Sequence, residues 1–294
     1  MDVNKTIYLL LLSILLGCET VVYFDIPDFR PAIVMNAVIN PDSLVKVNLT
    51  ENNYILDTQF VFDPIETAKV LFFENNQLIA QIPYQGNGNY VLNNGFKPVP
   101  GNSYRLEAKD MLYDSVFSEI TLPDDRTNTM VSSINNFTEV GVNFMEITID
   151  ITGYSTSDYY IMEFYGYQYK YDNQQTPPVL IDSALIQLYE RSYDGFLGVD
   201  TEFAEYFLDG QQLTTSQGKV TYVFLDNLYS SDGRKHLLIY IKKISEGYYY
   251  YKRDLAAISN QPDFTEPLNV SNNIVNGYGI FGGYVNHVID TIYY

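Results

Sequence analysis

From Ala32 onward the chain alternates apolar and polar residues in runs of about 5 to 9. A period of two is what a strand needs to place every second side chain on one face. The runs are rich in Val, Ile, Tyr, Phe and Thr, and clusters of Asn, Asp, Gly and Pro, residues that turn a chain, separate them. In the first half they fall at Ala32–Ile39, Leu44–Leu49, Ala68–Phe73, Leu78–Pro83, Asn89–Leu92, Ser103–Ala108 and Ser115–Leu122. Turn chemistry lies between them at Asn40-Pro41-Asp42-Ser43, Asn75-Asn76, Gly86-Asn87-Gly88 and Pro100-Gly101-Asn102. This series of short strands predicts an immunoglobulin-like β-sandwich over residues 31–122, of the general kind, since the chain has no tryptophan and only one cysteine.

The polar segment Pro123-Asp124-Asp125-Arg126-Thr127-Asn128 reads as a domain boundary, followed by a larger β-rich domain over residues 129–294. Its strands are expected at Phe144–Ile151, Tyr159–Tyr171, Val179–Leu188, Lys219–Leu225, His236–Ile244 and Tyr284–Ile292. One short helix is expected after Ser245, which can cap it, with Tyr248, Tyr251, Leu255 and Ile258 forming an apolar stripe. The fold class is therefore all-β, as two tandem sandwich-like domains.

The N-terminus has a different character. Ile7–Leu16 is an apolar run broken only by Ser13, too short for a transmembrane helix of about 20 residues and right for the core of a signal peptide. Leu15-Leu16-Gly17-Cys18 follows and resembles the bacterial lipobox, although Leu16 stands where a small residue is commoner. Residues 1–17 are read as a cleaved signal, Cys18 as the lipidated residue, and 18–30 as the linker to the first sandwich. The alternative is an ordinary secretory signal with an incidental cysteine. A single thiol cannot form an internal disulfide, and a covalent role for it accounts for the count. Several acyl CH₂ groups, each worth about 0.8 kcal/mol on burial, make a multi-chain anchor effectively permanent.

Charge and motifs exclude some functions. With 17 Lys and Arg against 36 Asp and Glu the net charge is −19, which opposes nucleic-acid binding and polybasic docking to anionic lipid. Gly277, Gly279 and Gly282 match G-x-G-x-x-G, but a dinucleotide loop must open a helix, and the residues after it alternate like a strand. These glycines are read instead as allowing bends or close backbone approach. His236 and His287 each fall within an expected strand and have no nucleophile signature nearby, so no catalytic residue is assigned. No cofactor and no metal is expected. Asp226-Asn227 and Asp232-Gly233 could offer oxygens to calcium, but loops of this composition usually just turn.

The 28 tyrosines remain. Tyrosine is amphipathic and loses little entropy on contact, so exposed clusters suit protein interfaces or glycan stacking. The candidates for partner or ligand contact are Tyr165, Tyr167 and Tyr169, and Tyr248, Tyr249 and Tyr250 within the run Tyr248–Tyr251.

Several segments carry a family resemblance when taken in order: Cys18-Glu19, Phe24-Asp25-Ile26-Pro27, Pro31–Asp42, Tyr84–Tyr90, Pro100–Leu106, Glu266-Pro267 and Asn276–Tyr284. Together they resemble a family of Bacteroidetes lipoproteins, classed as a domain of unknown function, that accompany TonB-dependent outer-membrane transporters. The resemblance implies an outer-membrane address and a partner-dependent role beside a transporter; the acidic residues Glu19, Asp25 and Asp28 near the anchor point to export to the cell surface, and the role expected is a non-enzymatic one in ligand capture or uptake. It supplies no catalytic residues. Two other classes stay open: a structural or assembly subunit of an envelope complex, and a surface glycan hydrolase, whose paired carboxylates depend on the fold and leave no mark in the sequence.

Overall fold

The computed structural model describes residues 29–54, 62–172, 179–186, 190–192, 195–197, 204–225, 234–259 and 269–290. Of the parts of 168–204 so included, and of 234–236, 259 and 290, only the backbone is described.

The first half is built from β1 (Ile33–Ile39), β2 (Val45–Glu51), β3 (Lys69–Glu74), β4 (Gln77–Ile82), β5 (Tyr84–Gly86), β6 (Asn89–Leu92), β7 (Ser103–Lys109) and β8 (Val116–Thr121). The period of two becomes burial directly: Ile33, Met35, Ala37 and Ile39 of β1 face inward, as do Val45, Val47 and Leu49 of β2 and Tyr104, Leu106 and Ala108 of β7. Asn75 and Asn76 turn the β3–β4 hairpin with positive φ angles of 47° and 66°, which asparagine tolerates better than most residues.

The second half contains β9 (Asn128–Glu139), β10 (Val142–Thr152), β11 (Tyr159–Asp172), β12 (Val179–Ile186), β13 (Glu190–Ser192), β14 (Gly195–Leu197), β15 (Ala204–Asp209), β16 (Lys219–Leu225), β17 (Arg234–Ile244) and β18 (Tyr278–Asp290). Two helices interrupt it, α1 (Gly210–Thr215) and α2 (Glu246–Ser259). Sequence reading anticipates α2 but misses α1, which opens on a capping box: the Asp209 carboxylate accepts from the Gln212 N–H at 2.8 Å, and the Gln212 side chain accepts from the Asp209 N–H at 3.0 Å.

The long sheet runs β12-β11-β17-β18-β1-β2-β6-β5, with β15 also on β11. A four-stranded sheet runs β4-β3-β7-β8, and a five-stranded one β14-β13-β16-β10-β9. The architecture is thus all-β and of sandwich type, with one sheet serving as a wall to two cores. The first core joins β1, β2 and β6 to β3, β7 and β8; the second joins β11 and β17 to β10 and β16. Residues from Pro31 onward form one compact unit.

The two cores do not divide the chain cleanly at residues 123–128. Strand β18, which sequence places in the second half, lies parallel to β1 with Tyr278 opposite Val34 and Gly283 opposite Ile39, and its later part pairs with β17. Ile274, Phe281 and Val285 accordingly complete the first core. The segment after Leu122 leads straight into β9, a polar strand at the edge of the five-stranded sheet.

Candidate functional site

Strand β1 lies between β18 and β2, so its outward side chains stand in the middle of the long sheet. Register sets Asn36 opposite Ile280 on one side and Asn48 on the other, and Asn48 opposite Asn89. Three asparagines from three strands therefore form one row. Asn48 Nδ2 donates to Asn89 Oδ1 at 3.1 Å, and Asn89 Nδ2 donates to the Gly86 carbonyl at 3.1 Å. Asn36 stands outside this exchange: its Oδ1 is buried and has no hydrogen-bond donor. A buried acceptor left in that state costs about 1–3 kcal/mol.

Helix α2 makes the wall beside this floor. Ser245 precedes it, but its hydroxyl does not cap the helix. The Ser245 carbonyl accepts the first helical bond from Tyr249 N–H at 3.0 Å, while Ser245 Oγ accepts from the Gly283 N–H at 3.1 Å and so ties the helix start to β18. Gly282 allows the close approach, because a Cβ there would lie 2.7 Å from the Tyr248 ring. Gly279 has a φ of +110°, and a Cβ there would lie 2.3 Å from the Met35 carbonyl. Two glycines of the G-x-G-x-x-G pattern thus serve close packing around a last strand, as read from the sequence.

Between floor and wall lies an open groove of about 310 Å³. Tyr248, Tyr251 and Lys252 line one side, Lys46 and Val38 lie across from them, and the asparagine row forms the floor. Burial pushes the Tyr248 phenol up to about 12. Neither the Tyr248 nor the Tyr251 hydroxyl has a hydrogen-bond partner among the described residues, and Lys46 is in no ion pair among them. Lys252 Nζ is 3.0 Å from Glu205. Among the described residues the lining includes two lysines and no carboxylate, in a chain where acids outnumber bases 36 to 17. The local sign is opposite to the net charge.

The stripe expected on α2 is not its buried face. Leu255 and Ile258 are 37% and 36% exposed, whereas Tyr249 is 5% exposed. The helix is seated by an aromatic cluster, in which the Tyr249 ring lies 4.8 Å from Tyr159 and 5.8 Å from Phe207. Tyr159 donates to Glu246 at 3.2 Å, which leaves its oxygen to accept from the Tyr250 hydroxyl at 3.3 Å. Arg253 lies over the Tyr250 ring at 4.8 Å. Of the three consecutive candidate tyrosines, Tyr248 therefore lines the groove, while Tyr249 and Tyr250 hold the helix on the sheet.

Tyr165 and Tyr167 sit half-buried on the outer face of β11. The Tyr165 hydroxyl donates to Glu163 Oε2 at 3.1 Å, and its ring meets Tyr240 edge-on at 5.6 Å. Tyr169 continues that face, its side chain lying outside the described residues, as do Cys18, the His236 side chain and the candidate calcium loops. His287 Nε2 is 3.4 Å from Asp125 Oδ1. Among the described residues no group of three or more His, Cys, Asp or Glu could hold a metal ion, and no helix is long and apolar enough to cross a membrane.

A second polar centre joins the 123–128 segment to the second core. Lys243, its side chain 5% exposed, places Nζ 2.8 Å from Asp124 and 2.9 Å from Asp158. Asp124 also accepts from Arg126 Nε at 2.9 Å. Arg126, opposed in part by burial and assisted by Lys243, holds the Asp124 carboxyl well below its ordinary range. Thr127 and the buried Tyr160 share a hydrogen bond of 3.0 Å, and Tyr160 also donates to Asp158 at 3.2 Å. No signal in the sequence links these residues, apart from Lys243 falling on the inward side of a strand with Ile239 and Ile241.

The fold and the groove define an all-β protein of sandwich type with an open, cation-lined cleft on its longest sheet. The chain belongs to the family described as a domain of unknown function, DUF4249, whose model matches residues 19–289. No curated protein matches it.

Proposed function

We propose that the protein is a lipid-anchored, non-enzymatic binding accessory of a TonB-dependent outer-membrane transporter. Cys18 holds it at the cell surface, and the groove beside α2 captures a ligand for uptake. The observation that carries this reading is the convergence of unpartnered polar groups on one cleft. Lys46, Tyr248 and Tyr251 line it, and among the described residues their polar ends have no protein partner, while the Asn36 amide oxygen is enclosed beside Gly279 without a donor. A ligand that enters the cleft takes up hydrogen bonds that these side chains otherwise leave to solvent. Among the described residues the lining carries lysines and no carboxylate, which suits an anionic ligand.

The test is recovery of the tagged native protein from outer membranes in mild detergent, with mass spectrometry and a Cys18→Ala control. Stoichiometric recovery of one transporter, with membrane attachment lost in the control, is the expected result. Recovery of the protein alone overturns the reading.

A further inference from the structure

We infer that the groove between α2 and the asparagine row binds a saccharide bearing a carboxylate. The inference rests on the binding reading above and names the class of ligand. The sheet argues against an extended peptide: β1 is paired on both sides, by β18 and β2, and β2 on both sides, by β1 and β6. The floor therefore has no free strand edge, and a peptide finds no main-chain partners to bond along its length. Whatever binds must be held by side chains alone, through its own hydroxyls and charge.

Those side chains fit an acidic sugar. The amides of Asn48 and Asn89, on the exposed part of the row, suit sugar hydroxyls. Tyr251, half-buried beside the groove, offers ring surface for the C–H face of a pyranose, and the phenols of Tyr248 and Tyr251 both donate and accept. Lys46 supplies a cation with no ion-pair partner among the described residues, on an otherwise strongly acidic protein, so the groove accepts a negative charge that the net charge elsewhere repels. Lys252, already shared with Glu205, adds a second positive end at the other wall.

The experiment is calorimetric titration of the full mature lipoprotein in detergent with trigalacturonate, maltotriose and hexaglutamate. Trigalacturonate is expected to bind, and maltotriose to bind roughly tenfold more weakly, the scale of one charge-assisted hydrogen bond. Lys46→Gln is expected to remove that preference while Lys46→Arg keeps it, and Tyr251→Ala to weaken both sugars. Circular dichroism checks that each variant is folded. Three outcomes overturn the inference: no binding of trigalacturonate at millimolar concentration, equal binding of the two sugars, or tighter binding of hexaglutamate. The two proposals fail separately. Loss of sugar binding with the transporter still recovered removes only this inference, whereas sugar binding with no transporter recovered removes only the accessory role.

Discussion

The centre around Lys243 and the groove beside Tyr251 are made from the same residue types, lysine, tyrosine and small polar side chains, yet they end in opposite states. At Lys243 the ammonium meets two carboxylates, and the neighbouring Tyr160 hydroxyl meets Thr127 and Asp158. In the groove Lys46 has no ion-pair partner among the described residues, and Asn36 Oδ1 has no donor. The first arrangement closes on itself and fastens one segment to another. The second leaves Lys46 to solvent, where something else can complete it, and only the enclosed Asn36 oxygen costs stability.

Substitutions at the two places are therefore expected to have unlike effects. The largest is expected at Lys243→Met, which leaves Asp124 and Asp158 without their buried cation and should cost about 3–5 kcal/mol in urea unfolding. A loss under about 1 kcal/mol would show that the pair is not a fastening. Gly279→Ala comes next: the positive φ and the Met35 carbonyl oppose a Cβ, so about 1–3 kcal/mol should be lost in the same assay. The acid limb sharpens the picture. The Asp124 carboxyl is held below its ordinary value of 3.8, so the stability it contributes is present above that value and lost as pH falls towards the folded pKa. Acid unfolding of Asp124→Asn should therefore lack this part of the pH dependence. Arg126→Ala, at a side chain 82% exposed, should cost no more than about 1 kcal/mol, falling with added salt. The smallest effect is expected in the groove itself, where Lys46→Gln should stay within about 0.5 kcal/mol of the parent in the absence of ligand. A larger loss there would mean that the groove is a structural feature.

Most of the strands can be read from alternation because each has one buried face, as β1 and β7 show. Strand β9 escapes that reading: as a polar edge strand it has little apolar content to alternate. The helix α2 is legible, but its orientation is not, since it is seated by adjacent tyrosines against Tyr159, Phe207 and Gly282 and not by a stripe of period 3.6. The Asp209–Gln212 capping box was available as a signal for α1. The groove was beyond reach for a different reason. Asn36, Asn48 and Asn89 meet only through strand register, and Tyr251 joins them only because the last strand carries α2 to that side.

The parallel pairing of β18 with β1 also fixes when the molecule can become whole. Synthesis delivers β1 long before β18, and contacts between such distant segments must await the closure of a very large loop. Until Phe281 arrives, the first core lacks one of its buried aromatic rings and β1 keeps an open edge. A fragment ending before Tyr278 is thus an incomplete sandwich, however many of its own strands it retains.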